Sequence, residues 1–210
     1  MTTNEYNRHL ASTPGYVALD WQLIKAMVWV ETGAENPKWG SNPIQIGNPG
    51  DPGLQSLLAG NEGGDLIIPP MWREQLTPST ATTIPSHNIR AGIGYLLMRL
   101  ATYAIKSVPD ADTTVYEVTV QPRDSIAKIA HDKGSTVEAM KKLNPGASVL
   151  RNGQSLKYQK AALKKVITGW NMVTTTSIAT KYNIGDPLYA KKLDYCLTLI
   201  RKGKAAICTQ

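Results

Sequence analysis

One carboxylate in this chain stands in surroundings that disfavour its charge. The run Val28-Trp29-Val30 ends in Glu31-Thr32-Gly33 and continues into the turn-rich AENPKWGSNPIQIG. Glu31 follows Ile24 by seven residues, Met27 by four and Val28 by three, so it shares the apolar face of a helix built from this segment. It also stands at that helix's C-terminal end, where the negative end of the dipole opposes a carboxylate. Apolar neighbours withhold water from it. All three effects raise its pKa, and a glutamic acid that keeps its proton near neutral pH is a general acid. The other reading is an exposed acid in water at a frayed helix end, with no chemistry attached.

Several elements must position such a group. Residues 16–31 have helical spacing through Leu23, Ile24, Met27 and Val28, with Asp20 or the small residues before it as the start and Thr32-Gly33 as the stop. Residues 33–65 are rich in Gly, Pro and Asn, a long loop with one short helix expected at Leu54–Ala59. Residues 66–85 continue irregular. The segment 86–108 predicts a helix, with Ser86 as N-cap and Ile89, Ile93, Leu96, Leu97 and Leu100 on one face. Over 115–158 the order changes to strand, helix, helix, strand, with Ser135 as the second helix's cap and Glu138 in its capping box. Helix is expected again over 160–181. A last amphipathic helix begins at Leu188 after Pro187 and carries Leu193, Cys196, Leu197 and Ile200.

Charge and composition narrow the function classes. The net charge of +7 is uneven: residues 1–114 hold 7 basic and 10 acidic side chains, and residues 159–210 hold 9 and 2. A basic surface of this kind either attracts polyanions or is simply solvated. No segment carries a nucleic-acid-binding motif. His9, His87 and His131 are scattered without metal-ligand spacing, so no metal and no cofactor is expected. GNPGDPG and NEGGD lack the strand, helix and lysine of a phosphate loop. Cys196 and Cys208 are the only cysteines, either one loop-closing disulfide or two free thiols. No apolar run reaches membrane-span length, and MTTNEYNRHLASTPGY lacks a signal-peptide core, so export by the ordinary route is not expected.

Residues 116–158 resemble a LysM domain. Tyr116 and Val118, Asp124-Ser125-Ile126, Ile129-Ala130, Leu143-Asn144-Pro145 and Gly153-Gln154-Ser155-Leu156 occupy the family's strand, turn, helix and closing positions. Arg123 stands where the family has Gly, and Ser125 where it has Thr. The resemblance implies binding of N-acetylglucosamine-containing glycans, with Asp124, Ser125, Ile126, Asn144 and Pro145 around the sugar groove. A spacer of the same architecture is the alternative.

The flanking sequence resembles the lysozyme-like soluble lytic transglycosylases and goose-type lysozymes in three stretches. These are Glu31-Thr32 followed by Pro43-Ile44-Gln45-Ile46, then Asn88-Ile89-x-Ala91-Gly92-x-x-Tyr95-Leu96, then Lys181-Tyr182-Asn183-Ile184-Gly185 with Tyr189 and Leu193 beyond it, where the family has a Tyr-containing helix. The segment Gly40-Ser41-Asn42-Pro43-Ile44 departs from the family pattern. The resemblance implies an α+β chain: a mainly helical lysozyme-like domain, 1–112 plus 160–210, interrupted by the β-α-α-β module at 113–159. It implies cleavage of the MurNAc-GlcNAc β-1,4 bond of peptidoglycan, with Glu31 as catalytic acid. Tyr182 would hydrogen-bond the acid, Asn183 would shape the site, and Gln45 and Tyr95 would contact substrate. Taken as residues alone, Tyr182 could equally be a core aromatic and Asn183 a turn residue. Asp51, Glu62 and Asp65 are the candidates for a second carboxylate, which a hydrolase needs and a lytic transglycosylase does not. The expected partner is the glycan strand at the cell wall. Delivery as an antibacterial effector would add an immunity protein and a secretion-spike or phage component; a phage lysis enzyme and a non-catalytic wall-binding protein are the other readings.

Overall fold

The computed structural model describes residues 2–33 and 35–207, which divide into two compact units. The first joins residues 2–103 (without 34) to 167–207; the second is 104–166. The chain is mainly helical, with the small strand-and-helix module set between the two parts of the first unit.

Helix α1 (Thr2–Leu10) buries Tyr6 and Leu10, and the Tyr6 hydroxyl donates to the Arg90 carbonyl at 2.9 Å. Periodicity does not announce this helix, because an otherwise polar segment carries only these two apolar anchors. Helix α2 (Trp21–Thr32) starts at Asp20, one of the two expected starts and not as early as residue 16, with the Asp20 carboxylate accepting the Gln22 amide at 2.9 Å. It ends as expected: Gly33 takes φ 73°, and its N–H returns to the Trp29 carbonyl at 2.8 Å. The long loop contains a 3₁₀ turn at Pro37–Gly40 and then α3 (Gly53–Ala59) and α4 (Gly64–Ile67). The expected irregularity of 66–85 is interrupted by α5 (Pro78–Thr83), closed by a reciprocal Thr77–Thr80 capping box.

Helix α6 (Pro85–Leu100) packs against α1, α3, α4 and α5. Pro85 opens it and Ile84 takes the cap position, so Ser86 is not the cap. The helix also stops at Leu100 rather than Val108. Residues Ala101–Pro109 form strand β1, paired with β4 (Ala161–Trp170). The helix expected over 160–181 is therefore strand up to Trp170, and only Thr175–Lys181 (α9) is helical, capped by Thr174. Both corrections have one cause. Thr102, Ile105 and Val108 on one strand and Val166, Ile167 and Thr168 on the other are β-branched, and each segment supplies the other's backbone partners. Helix α10 (Tyr189–Ile207) starts one residue after Leu188, whose amide donates to the Asp186 carboxylate at 2.9 Å. It packs along α2 and α9.

In the second unit, β2 (Tyr116–Thr119) pairs antiparallel with β3 (Ser155–Tyr158) in the register Tyr116–Tyr158 to Thr119–Ser155. Between them α7 (Ile126–Asp132) and α8 (Val137–Leu143) close a small core of Val120, Ile129, Ala130, Met140, Ala147 and Leu156. The cap of α8 is Thr136, which accepts the Ala139 amide at 3.1 Å. Ser135 donates instead to the Gln159 carbonyl at 2.6 Å, so neither it nor Glu138 plays the expected capping role. Arg123 adopts φ 69°, a left-handed conformation that penalises a side chain. Arg123→Gly is therefore expected to stabilise the second unit by about 1 kcal/mol. Thermal unfolding of the full chain would register it as a higher midpoint for the transition that exposes this core.

Candidate active site

Glu31 sits in the last turn of α2, half-buried, where α2 meets α10. Its Oε1 accepts the hydroxyl of Tyr189 at 2.8 Å and lies 3.5 Å from the Asn183 amide nitrogen. Burial raises its pKa above the ordinary 4.5. The bonds from Tyr189 and Asn183 act in the opposite direction, and the charges of Asp186 and Asp51 add to the rise. The carboxyl group is thus shielded and oriented by one firm hydroxyl bond.

The backbone at the end of α2 is fixed from the following loop. Thr32 donates to the Pro43 carbonyl at 2.5 Å, and the Trp39 indole N–H donates to the Gly33 carbonyl at 2.6 Å. The Gln45 side-chain amide donates to the Glu31 carbonyl, which the helix itself leaves without a partner. Gln45 has φ 54°, the second non-glycine residue in the left-handed region. Its Oε1 accepts Lys38 Nζ at 3.0 Å. Gln45 is thus spent on holding the helix end, beyond any contact with a ligand.

The two residues flanking Gln45 are tied to α6. Asn88, fully buried, accepts the Ile44 amide at 2.8 Å and donates to the Ala81 carbonyl at 2.7 Å, Asn42 Oδ1 at 2.5 Å and the Ile46 carbonyl at 3.3 Å. Gly92 lies one turn on. A Cβ there would overlap the Ile44 side chain, so only glycine lets this loop lie against α6.

A cleft of about 280 Å³ opens over Glu31, lined also by Gln45, Asp51, Tyr95, Tyr182 and Asn183. All five first-unit residues singled out from the sequence meet here. The hydroxyl that bonds the acid belongs to Tyr189, not to Tyr182 as expected, and Gln45 holds the end of α2. Tyr182 instead stands between Tyr95 and Tyr189, with ring centroids 5.6 and 6.4 Å away. Tyr189 is 1% exposed. Its signals in the sequence are its place just beyond Lys181–Gly185 in the third stretch of the resemblance and its polar-tipped ring on the apolar stripe of α10, in line with Leu193, Cys196, Leu197 and Ile200. Of the three candidate second carboxylates, only Asp51 lines the cleft. Its oxygens accept the amides of Gly53 at 2.8 Å and Gly47 at 3.1 Å. Glu62 pairs with Arg99 at 3.7 Å, and the Asp65 backbone carbonyl accepts Arg73.

In the second unit the predicted groove residues are mostly engaged internally. Asp124 accepts the Gln121 amide at 2.9 Å and Lys128 Nζ at 2.8 Å, and Ser125 caps α7. Ile126 packs on the small core. Asn144 bonds both backbone groups of Lys157, at 2.7 and 2.9 Å, and Pro145 is exposed beside it. Among the described residues no group of His, Cys, Asp and Glu is arranged to hold a metal, and no helix is long and apolar enough to cross a membrane. Cys196 packs half-buried against the larger core; Cys208 lies outside the described residues.

Comparison with known proteins finds a LysM domain at residues 118–157. No curated protein and no solved structure matches the chain.

Proposed function

We propose that this chain is a peptidoglycan-binding protein whose larger unit cleaves the glycan strand at Glu31. The wall-binding part rests on the LysM domain at residues 118–157. The cleavage part rests on one observation: a glutamic acid at a helix end, its pKa raised by burial, opening on a cleft and held by Tyr189. In this reading Glu31 gives its proton to the bridging oxygen of the MurNAc-GlcNAc β-1,4 bond as that bond breaks. The resulting carboxylate then takes a proton from the nucleophile. That nucleophile is the 6-hydroxyl of the same MurNAc in a lytic transglycosylase, or a water in a muramidase. The three-stretch resemblance to lysozyme-like enzymes supports the same assignment. A non-catalytic wall-binding protein on this scaffold is the second reading, favoured because the family match at residues 118–157 is to a LysM domain. Action at the cell wall as a delivered antibacterial effector or a phage lysis enzyme follows from the cleavage reading, and an immunity protein covering the cleft from the effector form of it.

Binding is tested by incubating the full chain with insoluble purified sacculi and centrifuging. Retention at low salt is expected, and a chain left wholly in the supernatant overturns the wall-binding part. Tyr189→Phe tests the site's electrostatics. The Tyr189 bond stabilises the ionised form of Glu31, so its loss raises the Glu31 pKa further. The basic limb of the pH–rate profile on sacculi is then expected to move to higher pH. A profile unchanged or moved to lower pH contradicts the assignment.

A further inference from the structure

The cleft carries two carboxylates, Glu31 and Asp51, and a substrate bearing its own carboxylates needs a cation at the rim to enter. Three cations are tied to residues that line the cleft or act on Glu31, though none of the three lines it. Arg99, whose charge is felt by Tyr95, is paired with Glu62 at 3.7 Å. Lys192 is paired with Asp186 at 2.7 Å. Lys38 has no carboxylate partner among the described residues. Its Nζ is held 3.0 Å from Oε1 of Gln45, which lines the cleft and binds the Glu31 carbonyl. One of the three ammonium donors is used in that bond. The 3₁₀ turn Pro37–Gly40, capped by Asn36 accepting the Lys38 amide at 3.0 Å, fixes where the side chain starts.

We infer that Lys38 is the specificity-determining residue of the cleft, receiving a carboxylate of the glycan and favouring an acidic over a neutral strand. The inference rests on the proposed glycan-binding role of the cleft but not on Glu31 cleaving anything. The carboxylate has two sources in peptidoglycan: the lactyl group of a MurNAc stripped of its peptide, or the stem peptide itself. A charge-assisted bond at the rim serves either.

The test is calorimetric titration of the full chain carrying Glu31→Gln, so that ligand stays intact, with and without Lys38→Met or Lys38→Arg. The ligands are a GlcNAc-MurNAc tetrasaccharide with free lactyl carboxylates, the same with those groups amidated, and the same bearing stem peptides. The LysM unit is identical in every variant, so differences report the cleft. Lys38→Met is expected to weaken a carboxylate-bearing ligand about tenfold, the scale of one hydrogen bond to a charged group, and to leave the amidated one unchanged. Lys38→Arg keeps the preference. Loss with the bare tetrasaccharide identifies the lactyl group; loss confined to the peptide-bearing ligand identifies the stem. Equal loss on acidic and amidated ligands assigns Lys38 only to holding Gln45 and overturns the inference, as does no loss at all or no binding by the parent. A selective loss in a protein whose native form leaves sacculi uncut would keep Lys38 and remove Glu31 as a catalyst.

Discussion

Glu31→Gln is expected to reduce peptidoglycan cleavage by about 10²–10⁴-fold, the usual contribution of a positioned general acid, while the protein folds normally. Glutamine fills the same volume and still accepts the Tyr189 hydroxyl, but it has no proton of the right acidity to give. The substitution should also change how stability depends on pH. Glu31 has a folded-state pKa raised above the ordinary 4.5, chiefly by burial. Its contribution is therefore fully present below 4.5 and is lost as pH rises through the folded value, because the folded state must then hold a desolvated charge. The glutamine variant has no such loss, so it should gain on the native chain as pH rises from 4.5. Denaturant unfolding of both proteins across that range measures it. Equal stability at all pH would place Glu31 in water and withdraw the basis for its acidity.

Asn88→Ala carries the largest expected cost in stability. Asn88 is 0% exposed and serves four partners, from α5, from α6's neighbouring loop and on both sides of Gln45. Alanine leaves the Ile44 amide and the Ala81 carbonyl buried without a partner, at about 1–3 kcal/mol each. A cost on the order of 3 kcal/mol or more follows. The loop holding Gln45 would loosen with it, so activity on sacculi should fall even at temperatures where the variant is folded. Asn88→Asp should not restore either property, since a carboxylate cannot donate to the Ala81 and Ile46 carbonyls. A variant within a few tenths of a kcal/mol of the native chain, measured by denaturant unfolding, would show that these bonds are not what anchors the loop.

How much of this was legible depended on how local each signal was. The end of α2 could be read because Glu31, its apolar neighbours and Gly33 lie within ten residues of one another. The LysM module could be read because turn, caps and strand pattern recur within about one short segment, and its second cap shifted only from Ser135 to Thr136. Strands β1 and β4 could not. Thr102 and Thr168, which share a side-chain bond at 3.3 Å, are 66 residues apart, and each strand alone looks like the continuation of a neighbouring helix. Helix α1 depends on Tyr6 finding the Arg90 carbonyl, 84 residues away. The site divides in the same manner. Glu31 declared itself by its surroundings, whereas Tyr189 became its partner only through the packing of α10 on α2. Gln45 lines the cleft with Glu31, but its bond to the Glu31 carbonyl follows from a left-handed backbone that spacing does not encode.

Mass spectrometry of the soluble products from purified sacculi tests the central claim most directly. The native chain is expected to release glycan fragments ending in 1,6-anhydroMurNAc or in reducing MurNAc, and the Glu31→Gln chain to release neither. Identical release by both proteins would remove Glu31 from the chemistry. No release by the native chain, with retention on sacculi intact, would leave a wall-binding protein on this scaffold and contradict the assignment of a glycan-cleaving site.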